Sequence, residues 1–232
     1  MKNVSIYIMF DGSRYHGWQV QKDHRTVAGT LEDALSGLCG HTVKLHGCGR
    51  TDARVHAERY CANFLTTSGI PPERLPLAVN SLLPHDITVQ QAVFAPADFD
   101  ANLSCIKKEY TYRVFNYGIS NPFLSGRALH YPKRLDISAM SKAAEHFIGT
   151  RDFASVRSAG TETKTTVRTV HWCDVEEKDG HIIEMRVCAD GFLYNMARSI
   201  AGTLLYVSEG KIDPDDVPAL VDGYLSGGKK DE

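Results

Sequence analysis

A polar loop between two apolar stretches holds the side chains best suited to chemistry. It runs from Gly47 to Ala57 and reads GCGRTDARVHA, with Asp52 flanked by Arg50 and Arg54. A carboxylate beside guanidinium groups stays ionised where water is excluded, which suits a nucleophile or a general base rather than a general acid. The same spacing also fits a salt bridge that ties down a turn. Spacing alone therefore leaves a catalytic and a structural role open.

The segments around this loop predict the frame that positions it. Apolar alternation with β-branched and aromatic residues predicts strands, and a 3.6-residue apolar period predicts a helix capped by Thr26 and ended by Gly40. The predicted elements of this half are strands at 2–10, 42–48, 57–66 and 87–94, and helices at 27–39 and 71–83. This βαββαβ order is typical of a ferredoxin-like unit, with two helices on one face of an antiparallel sheet and the other face open.

The second half shows a similar order of elements. Its predicted strands lie at 108–117, 164–177 and 181–189, its helices at 137–148 and 193–207, and a loop at 118–126. The fold class that follows is α+β, with two ferredoxin-like (split βαβ) halves whose antiparallel sheets join into one continuous sheet. We place the division at residues 1–100 and 101–232, because the segment 96–107 has mixed polarity.

Composition narrows the class of protein. The chain has 232 residues, 43% of them apolar, and a net charge of -2, which suits a globular protein with a sizeable core. Basic residues concentrate at 101–171, with 11 basic against 5 acidic side chains. This stretch indicates either an anion-binding surface or a solvated face. Scattered cysteines, no leader-like start and no long apolar run predict a reduced, cytoplasmic protein without a membrane span.

A metal site is not expected from the sequence. His41, His46 and Cys48 are the nearest approach to a ligand set, and they lack a fourth ligand at the usual spacing. A glycine-rich loop of the phosphate-binding type is also missing. We therefore expect neither a zinc site nor a nucleotide site built on such a loop.

Four separated motifs resemble those of the TruA-type tRNA pseudouridine synthases. The loop at 47–57 resembles the signature GRTDAGVHA, and residues 108–112 resemble a strand of the form K/R-x-Y-x-Y. The remaining two are the stretch from Phe10 to Glu32, which contains DGSRY, GWQVQ and TVAGTLE, and the run GFLYNMAR with its following isoleucine and glycine at 191–202. Together the motifs span most of the chain, which makes the resemblance specific.

The resemblance implies isomerisation of uridine to pseudouridine in the anticodon stem-loop of tRNA, at positions 38, 39 and/or 40, without a cofactor. It assigns Asp52 as nucleophile or base, and Arg198 as its ionic partner. Tyr110 would stack on the target base, with its hydroxyl a candidate acceptor for the C5 proton, and Arg50 would hold the flipped nucleotide. Arginine and aromatic side chains suit this task, because a base must leave its stack before chemistry can reach it.

The same resemblance implies a homodimer that binds tRNA in a cleft on the helix-free face of the sheet. Phosphate and base contacts would come from Arg14, Tyr15, Arg25, Arg54, His56, Lys107 and Lys108, with Lys164, Arg168, His16 and Trp18 as further candidates. Trp18 is equally suited to packing inside its loop.

Three departures from the family pattern leave alternatives open. Arg54 replaces a glycine, so the turn either lacks a positive φ or has been reshaped. Asn102 stands where the family usually has arginine, and we expect the closing strand of the form TAPxxGLxL to be missing, so that the second half is incomplete. A non-catalytic tRNA-binding protein or RNA chaperone is therefore the alternative, and an interaction module unrelated to RNA is a third.

Overall fold

Helices and antiparallel strands alternate along both halves of the chain. The computed structural model describes residues 1–158 and 163–223, which fall into two units that divide between Cys105 and Ile106. None of the helices in this part of the chain is long and apolar enough to cross a membrane. The first unit contains β1 (Lys2–Phe10), α1 (Val27–Cys39), β2 (His46–Gly47), β3 (Ala57–Thr66), α2 (Leu75–Asn80) and β4 (Ile87–Ala95).

The sheet of the first unit has the strand order β2-β3-β1-β4, with β1 antiparallel to both β3 and β4. Alternate residues of β1, among them Ile6 and Ile8, are fully buried in a core that also holds Leu31 and Leu35 of α1. The Thr26 hydroxyl accepts a hydrogen bond from the backbone N–H of Gly29 and caps α1. The predicted ferredoxin-like arrangement of this half is confirmed.

The strand predicted at 42–48 is wrong in length, because only His46 and Gly47 pair with β3. The preceding residues bind α1 instead of a neighbouring strand. The carboxylate of Glu32 accepts hydrogen bonds from Nζ of Lys44 at 2.8 Å and from the backbone N–H of Leu45 at 3.0 Å. A side chain of α1 thus satisfies the backbone N–H of Leu45, which a sheet ladder would otherwise use.

The second unit has a five-stranded sheet in the order β6-β5-β9-β8-β7. The strands are antiparallel except for the short β5–β6 pair, and α3 and α4 contribute to one core with the sheet. Its elements are β5 (Lys108–Phe115), β6 (Leu129–His130), α3 (Ile137–Glu145), β7 (Gly149–Asp152), β8 (Val167–Lys178), β9 (Ile182–Ala189), α4 (Met196–Ser208) and α5 (Val217–Val221).

Two predicted helices of this unit are longer than the observed ones. The helix predicted at 137–148 ends at Glu145, and Gly149 begins β7 with a φ of 110°. The helix predicted from residue 193 begins at Met196, because Asn195 just before it adopts a left-handed conformation with a φ of 59°. The mixed α+β class of the predicted fold is confirmed in both units.

Two buried asparagines fix the segment that precedes the division between the units. Nδ2 of Asn3 donates to the carbonyl oxygens of Pro96 and Phe99, and the side-chain oxygen of Asn63 accepts from the backbone N–H of Ala101. These bonds attach residues 96–101 to β1 and β3, so the segment belongs to the first unit. That the two sheets continue into one another stays a prediction.

Candidate active site

The loop that carries Asp52 connects β2 to β3 in the first unit. Arg50, Asp52 and Arg54 all lie exposed along it. Neither Arg50 nor Arg54 forms an ion pair with a residue of the described chain, so the salt bridge between Arg50 and Asp52 that the spacing left open is not observed there. The loop therefore presents a carboxylate and two guanidinium groups to the solvent at one end of the sheet.

The segment after β1 holds this loop by backbone hydrogen bonds. The N–H of Trp18 donates to the carbonyl oxygen of Thr51 at 3.2 Å, and the N–H of Arg54 donates to that of Tyr15 at 3.1 Å. These contacts lie on both sides of Asp52 in the sequence. A functional side chain on a loop needs such support, because a loop without fixed partners would not hold a productive geometry.

Two glycines allow the close approach of these segments. A Cβ built on Gly12 would overlap the backbone carbonyl of Val55, and one built on Gly17 would overlap that of Thr51. Gly17 also has a φ of 81°, which a residue with a side chain adopts only at a cost. Any larger residue at either position would push the Asp52 loop away from its support.

His56, predicted to contact RNA, lies at the base of the loop beside the start of the same segment. Its Nδ1 accepts from the backbone N–H of Gly12 at 3.3 Å and lies 3.1 Å from the carboxylate of Asp11. These contacts engage Nδ1 within the protein. His56 therefore helps to hold the loop, in addition to the RNA contact that stays a prediction.

Tyr15 does not fit the predicted role of a stacking partner for RNA. Its side chain is 1% exposed, and its hydroxyl donates to the carboxylate of Asp86 at 2.6 Å. Burial and that hydrogen bond raise the pKa of Tyr15 to about 12. The guanidinium of Arg25 lies 4.9 Å from the centre of the ring. Tyr15 thus supports its neighbours, since a buried ring leaves no face for a base.

Asp86 was missed by sequence reasoning, although it joins several parts of this support. Its carboxylate accepts hydrogen bonds from Tyr15 and Arg14, and its carbonyl oxygen accepts from the N–H of Asp11 at 2.9 Å. Burial alone would raise the pKa of Asp86, but the bonds from Tyr15 and Arg14 outweigh it and hold the pKa below its ordinary value. The predicted phosphate ligand Arg14 is therefore already engaged in an ion pair, although it is largely exposed.

Trp18 packs inside the loop, which was one of its two predicted roles. It is 3% exposed, and its ring centre lies 4.2 Å from that of Tyr60. The Tyr60 hydroxyl donates to the carbonyl oxygen of Gly49, and a Cβ on Gly47 would overlap this hydroxyl and the Trp18 ring. Sequence reasoning also missed Tyr60 as a supporting residue, although the alternation of apolar residues along β3 predicts that its side chain lies in the core.

Arg54 keeps the conformation that a glycine would adopt. Its φ is 65°, one of three positive values at non-glycine positions in the described chain. The turn therefore still contains a residue with a positive φ at position 54. The interpretation that the turn lacks a positive φ because Arg54 replaces a glycine is wrong. The side chain adds a cation at a backbone position that costs about 1–2 kcal/mol for an L-residue.

Tyr110 and Arg198 belong to the second unit. Tyr110 lies on β5 opposite Val187 of β9, is partly buried, and meets Phe192 edge to face with ring centres 4.7 Å apart. Arg198 is exposed in the first turn of α4. That turn follows the left-handed Asn195, whose Nδ2 donates to the hydroxyl of Ser158 at 3.0 Å. The GFLYNMAR run thus places Phe192 and Arg198 on either side of one fixed bend.

The other predicted RNA ligands of the second unit lie at the N-terminal ends of strands. Lys107 and Lys108 lie where β5 begins, and Arg168 on β8 donates to the carbonyl oxygens of Thr165 and Val167. Lys164 is exposed just before β8. Within residues 1–158 and 163–223, no three metal-ligating side chains lie together as a metal site would require.

Comparison with known proteins agrees with these features. The family model described as tRNA pseudouridine synthase matches residues 6–102 and 143–230, which include the Asp52 loop and the bend before Arg198. The chain therefore belongs to the tRNA pseudouridine synthase family.

Several relatives share sequence with nearly the whole chain. A tRNA pseudouridine synthase A from Caldicellulosiruptor bescii is 45% identical over 96% of this chain and 91% of its own length. One from Acetivibrio thermocellus is 42% identical with the same coverage. The tRNA pseudouridine synthase A 2 of Clostridium tetani is 38% identical over 95% of this chain and 89% of its own length.

Proposed function

We propose that this chain isomerises uridine to pseudouridine in the anticodon stem-loop of tRNA, at positions 38, 39 and/or 40. The bond between N1 and C1′ of the nucleotide breaks, the base turns, and C5 bonds to C1′. The proton on C5 passes to solvent, and N1 takes up a proton. The observation that carries the proposal is the exposed Asp52, held between two backbone contacts in a chain of this family.

Asp52 acts in this scheme as the nucleophile or base. An exposed carboxylate on a rigid loop can reach the sugar of an extruded nucleotide without itself reorganising. Arg50 precedes it on the same loop and holds the flipped nucleotide by its guanidinium. Both assignments extend the resemblance of the loop to the family signature.

Tyr110 stacks on the target base and is the candidate acceptor of the C5 proton. Its contact with Phe192 supports this role, because an edge-to-face partner fixes the plane of the ring. Arg198 is the proposed ionic partner of Asp52. The pairing is carried by the resemblance of residues 191–202 to the family motif.

Binding of tRNA would use the exposed basic residues around the Asp52 loop. The guanidinium groups of Arg25 and Arg54 form no salt bridge with the described residues, which leaves their N–H donors available for phosphate. Arg14, His56, Lys107 and Lys108 would add to this surface. We further propose that the chain works in the cytoplasm as a homodimer and needs no cofactor.

The test uses unmodified tRNA labelled with tritium at C5 of uridine, and follows the label released to water. The Asp52→Asn variant should release no label above background while binding tRNA within severalfold of the unaltered protein. Asp33→Asn, an equally conservative change at an exposed position of α1, is the matched control and should retain full release. Turnover that persists in Asp52→Asn would exclude the proposed role of Asp52. Binding by the unaltered protein without release would favour the non-catalytic alternative.

A further inference from the structure

Arg59 lies over an aromatic ring on the helix-free face of the first sheet. Its guanidinium carbon is 4.7 Å from the centre of the Tyr7 ring. Tyr7 stands between Ile6 and Ile8, which are fully buried on the helix side, so strand alternation directs Tyr7 to the opposite face. Tyr60, which follows Arg59, is likewise in the core.

The polar atoms of this pair have no partner within the part of the chain that the structure describes. Neither the Arg59 guanidinium nor the Tyr7 hydroxyl makes a hydrogen bond or an ion pair there. Arg14 and Arg186 differ from Arg59 in this respect, because Arg14 pairs with Asp86 and Arg186 pairs with Asp174. Arg59 thus presents up to five N–H donors and a full charge on an exposed surface.

The position of Arg59 brings it next to the Asp52 loop. Ala57, the first residue of β3 after that loop, pairs with Phe10 at the end of β1, and Arg59 follows two residues later. Tyr7 lies three residues before Phe10, or about 10 Å along the strand. A long nucleic acid that enters the loop region can therefore reach Arg59 through a neighbouring phosphate.

We propose that Arg59, held on the ring of Tyr7, is a phosphate-binding site for the substrate tRNA on the helix-free face of the first sheet. The inference rests on the proposed function, because it takes tRNA as the ligand. Contact with the ring restricts the rotamers of the arginine side chain, so less freedom is lost when a phosphate binds. Its charge and fork of donors match a phosphate, whose oxygens accept two parallel hydrogen bonds.

The chain supplies a matched control on the other face of the same sheet. Lys2 lies over the ring of Phe94, with Nζ 5.4 Å from its centre, and Phe94 is 55% exposed. Lys2 is two residues before the buried Val4, so alternation places it on the helix side. This second cation over an aromatic ring has the same charge and a similar exposure, but faces away from the proposed path of the RNA.

The experiment measures the affinity of the full chain for unmodified tRNA over a series of KCl concentrations. Arg59→Ala should weaken binding about tenfold, as expected for one charge-assisted phosphate contact. The slope of log K against log salt should fall by about 0.7 to 0.9. Arg59→Lys should keep the slope and part of the affinity, and Tyr7→Leu should weaken binding by a smaller factor with the slope unchanged. Lys2→Ala should remain within twofold.

The outcomes separate this site from the proposed catalysis. Tritium release by the unaltered protein tests the function, whereas the ratio of affinities between Arg59→Ala and the unaltered protein tests the phosphate site. At saturating tRNA, Arg59→Ala should retain its maximal rate of release. Equal affinity of Arg59→Ala and the unaltered protein would overturn the proposal, as would an equal loss in Lys2→Ala. Absence of tRNA binding by the unaltered protein would overturn both.

Discussion

The backbone N–H of Arg54 donates to the carbonyl oxygen of Tyr15, and this 3.1 Å hydrogen bond fixes an exposed turn to a buried aromatic residue. The turn carries Asp52 two residues earlier, and Tyr15 is held in turn by Asp86. The reactive loop therefore takes its position from the segment after β1. Changes in that segment should affect catalysis even where they touch no substrate.

The close approach of Gly12 to Val55 gives a first prediction. Gly12→Ala should lower the free energy of unfolding by about 1–3 kcal/mol, because the added Cβ overlaps a backbone carbonyl that cannot yield cheaply. It should also reduce turnover at least tenfold, since the Asp52 loop must shift. Gly37→Ala is the matched control: a Cβ added at this position would have nothing within 4 Å, and the change should stabilise α1 by about 0.5–1 kcal/mol. Chemical denaturation and single-turnover kinetics measure both effects, and unchanged turnover in a folded Gly12→Ala would contradict the supporting role.

The left-handed conformation of Arg54 gives a second prediction, in which two substitutions distinguish the effect of backbone strain from that of the positive charge. Arg54→Gly and Arg54→Ala both remove the cation, so both should weaken tRNA binding by the same factor. Only the glycine relieves the backbone, and Arg54→Gly should therefore be more stable than Arg54→Ala by about 1 kcal/mol. Denaturation midpoints measure the stability of the two variants, and filter binding measures their affinity for tRNA. Equal stability of the two variants would mean that the turn relaxes without cost.

The pKa of Tyr15 gives a prediction at alkaline pH. Burial and the hydrogen bond to Asp86 raise this pKa from 10.0 to about 12, so folding favours the protonated hydroxyl. The stability it contributes is fully present below about pH 10 and is lost as pH rises towards 12. Tyr15→Phe should therefore be less stable than the unaltered protein at pH 8 by about 2 kcal/mol. The difference should shrink as pH rises above 10, and urea denaturation across this range measures it. A difference that stays constant with pH would show that the hydroxyl does not titrate as stated.

The edge-to-face contact of Tyr110 with Phe192 allows stacking and proton transfer to be separated. Tyr110→Phe preserves the ring and its contact with Phe192, so the variant should fold and bind tRNA normally. If the hydroxyl accepts the C5 proton, single-turnover formation of pseudouridine should fall by about 10²-fold or more. Tyr112→Phe, a neighbouring tyrosine two residues along β5, should have no such effect. Normal turnover in Tyr110→Phe would leave the residue a stacking role alone.

The order of elements was predictable from the sequence because it depends on local signals. Apolar periodicity, the cap at Thr26 and the glycine at residue 40 act within a few residues, and the bounds they predict for β1, α1 and β3 agree with the observed ones. The loop around Asp52 was likewise visible, as a polar run between two strands. Its resemblance to a family signature indicated the chemistry, and the family model confirms the family.

Contacts between distant segments were decided only by the tertiary structure. Glu32 of α1 accepts hydrogen bonds from Lys44 and Leu45, and β2 is shorter than predicted. Asp86 accepts a hydrogen bond from Tyr15, which lies 71 residues earlier in the sequence. Sequence patterns cannot reveal such pairs, because strand register and helix packing bring the partners together. Tyr15 and Arg59 show the same limit. Both residue types suggest contact with RNA, but Tyr15 is buried and supports its neighbours, whereas Arg59 is an exposed cation on the ring of Tyr7.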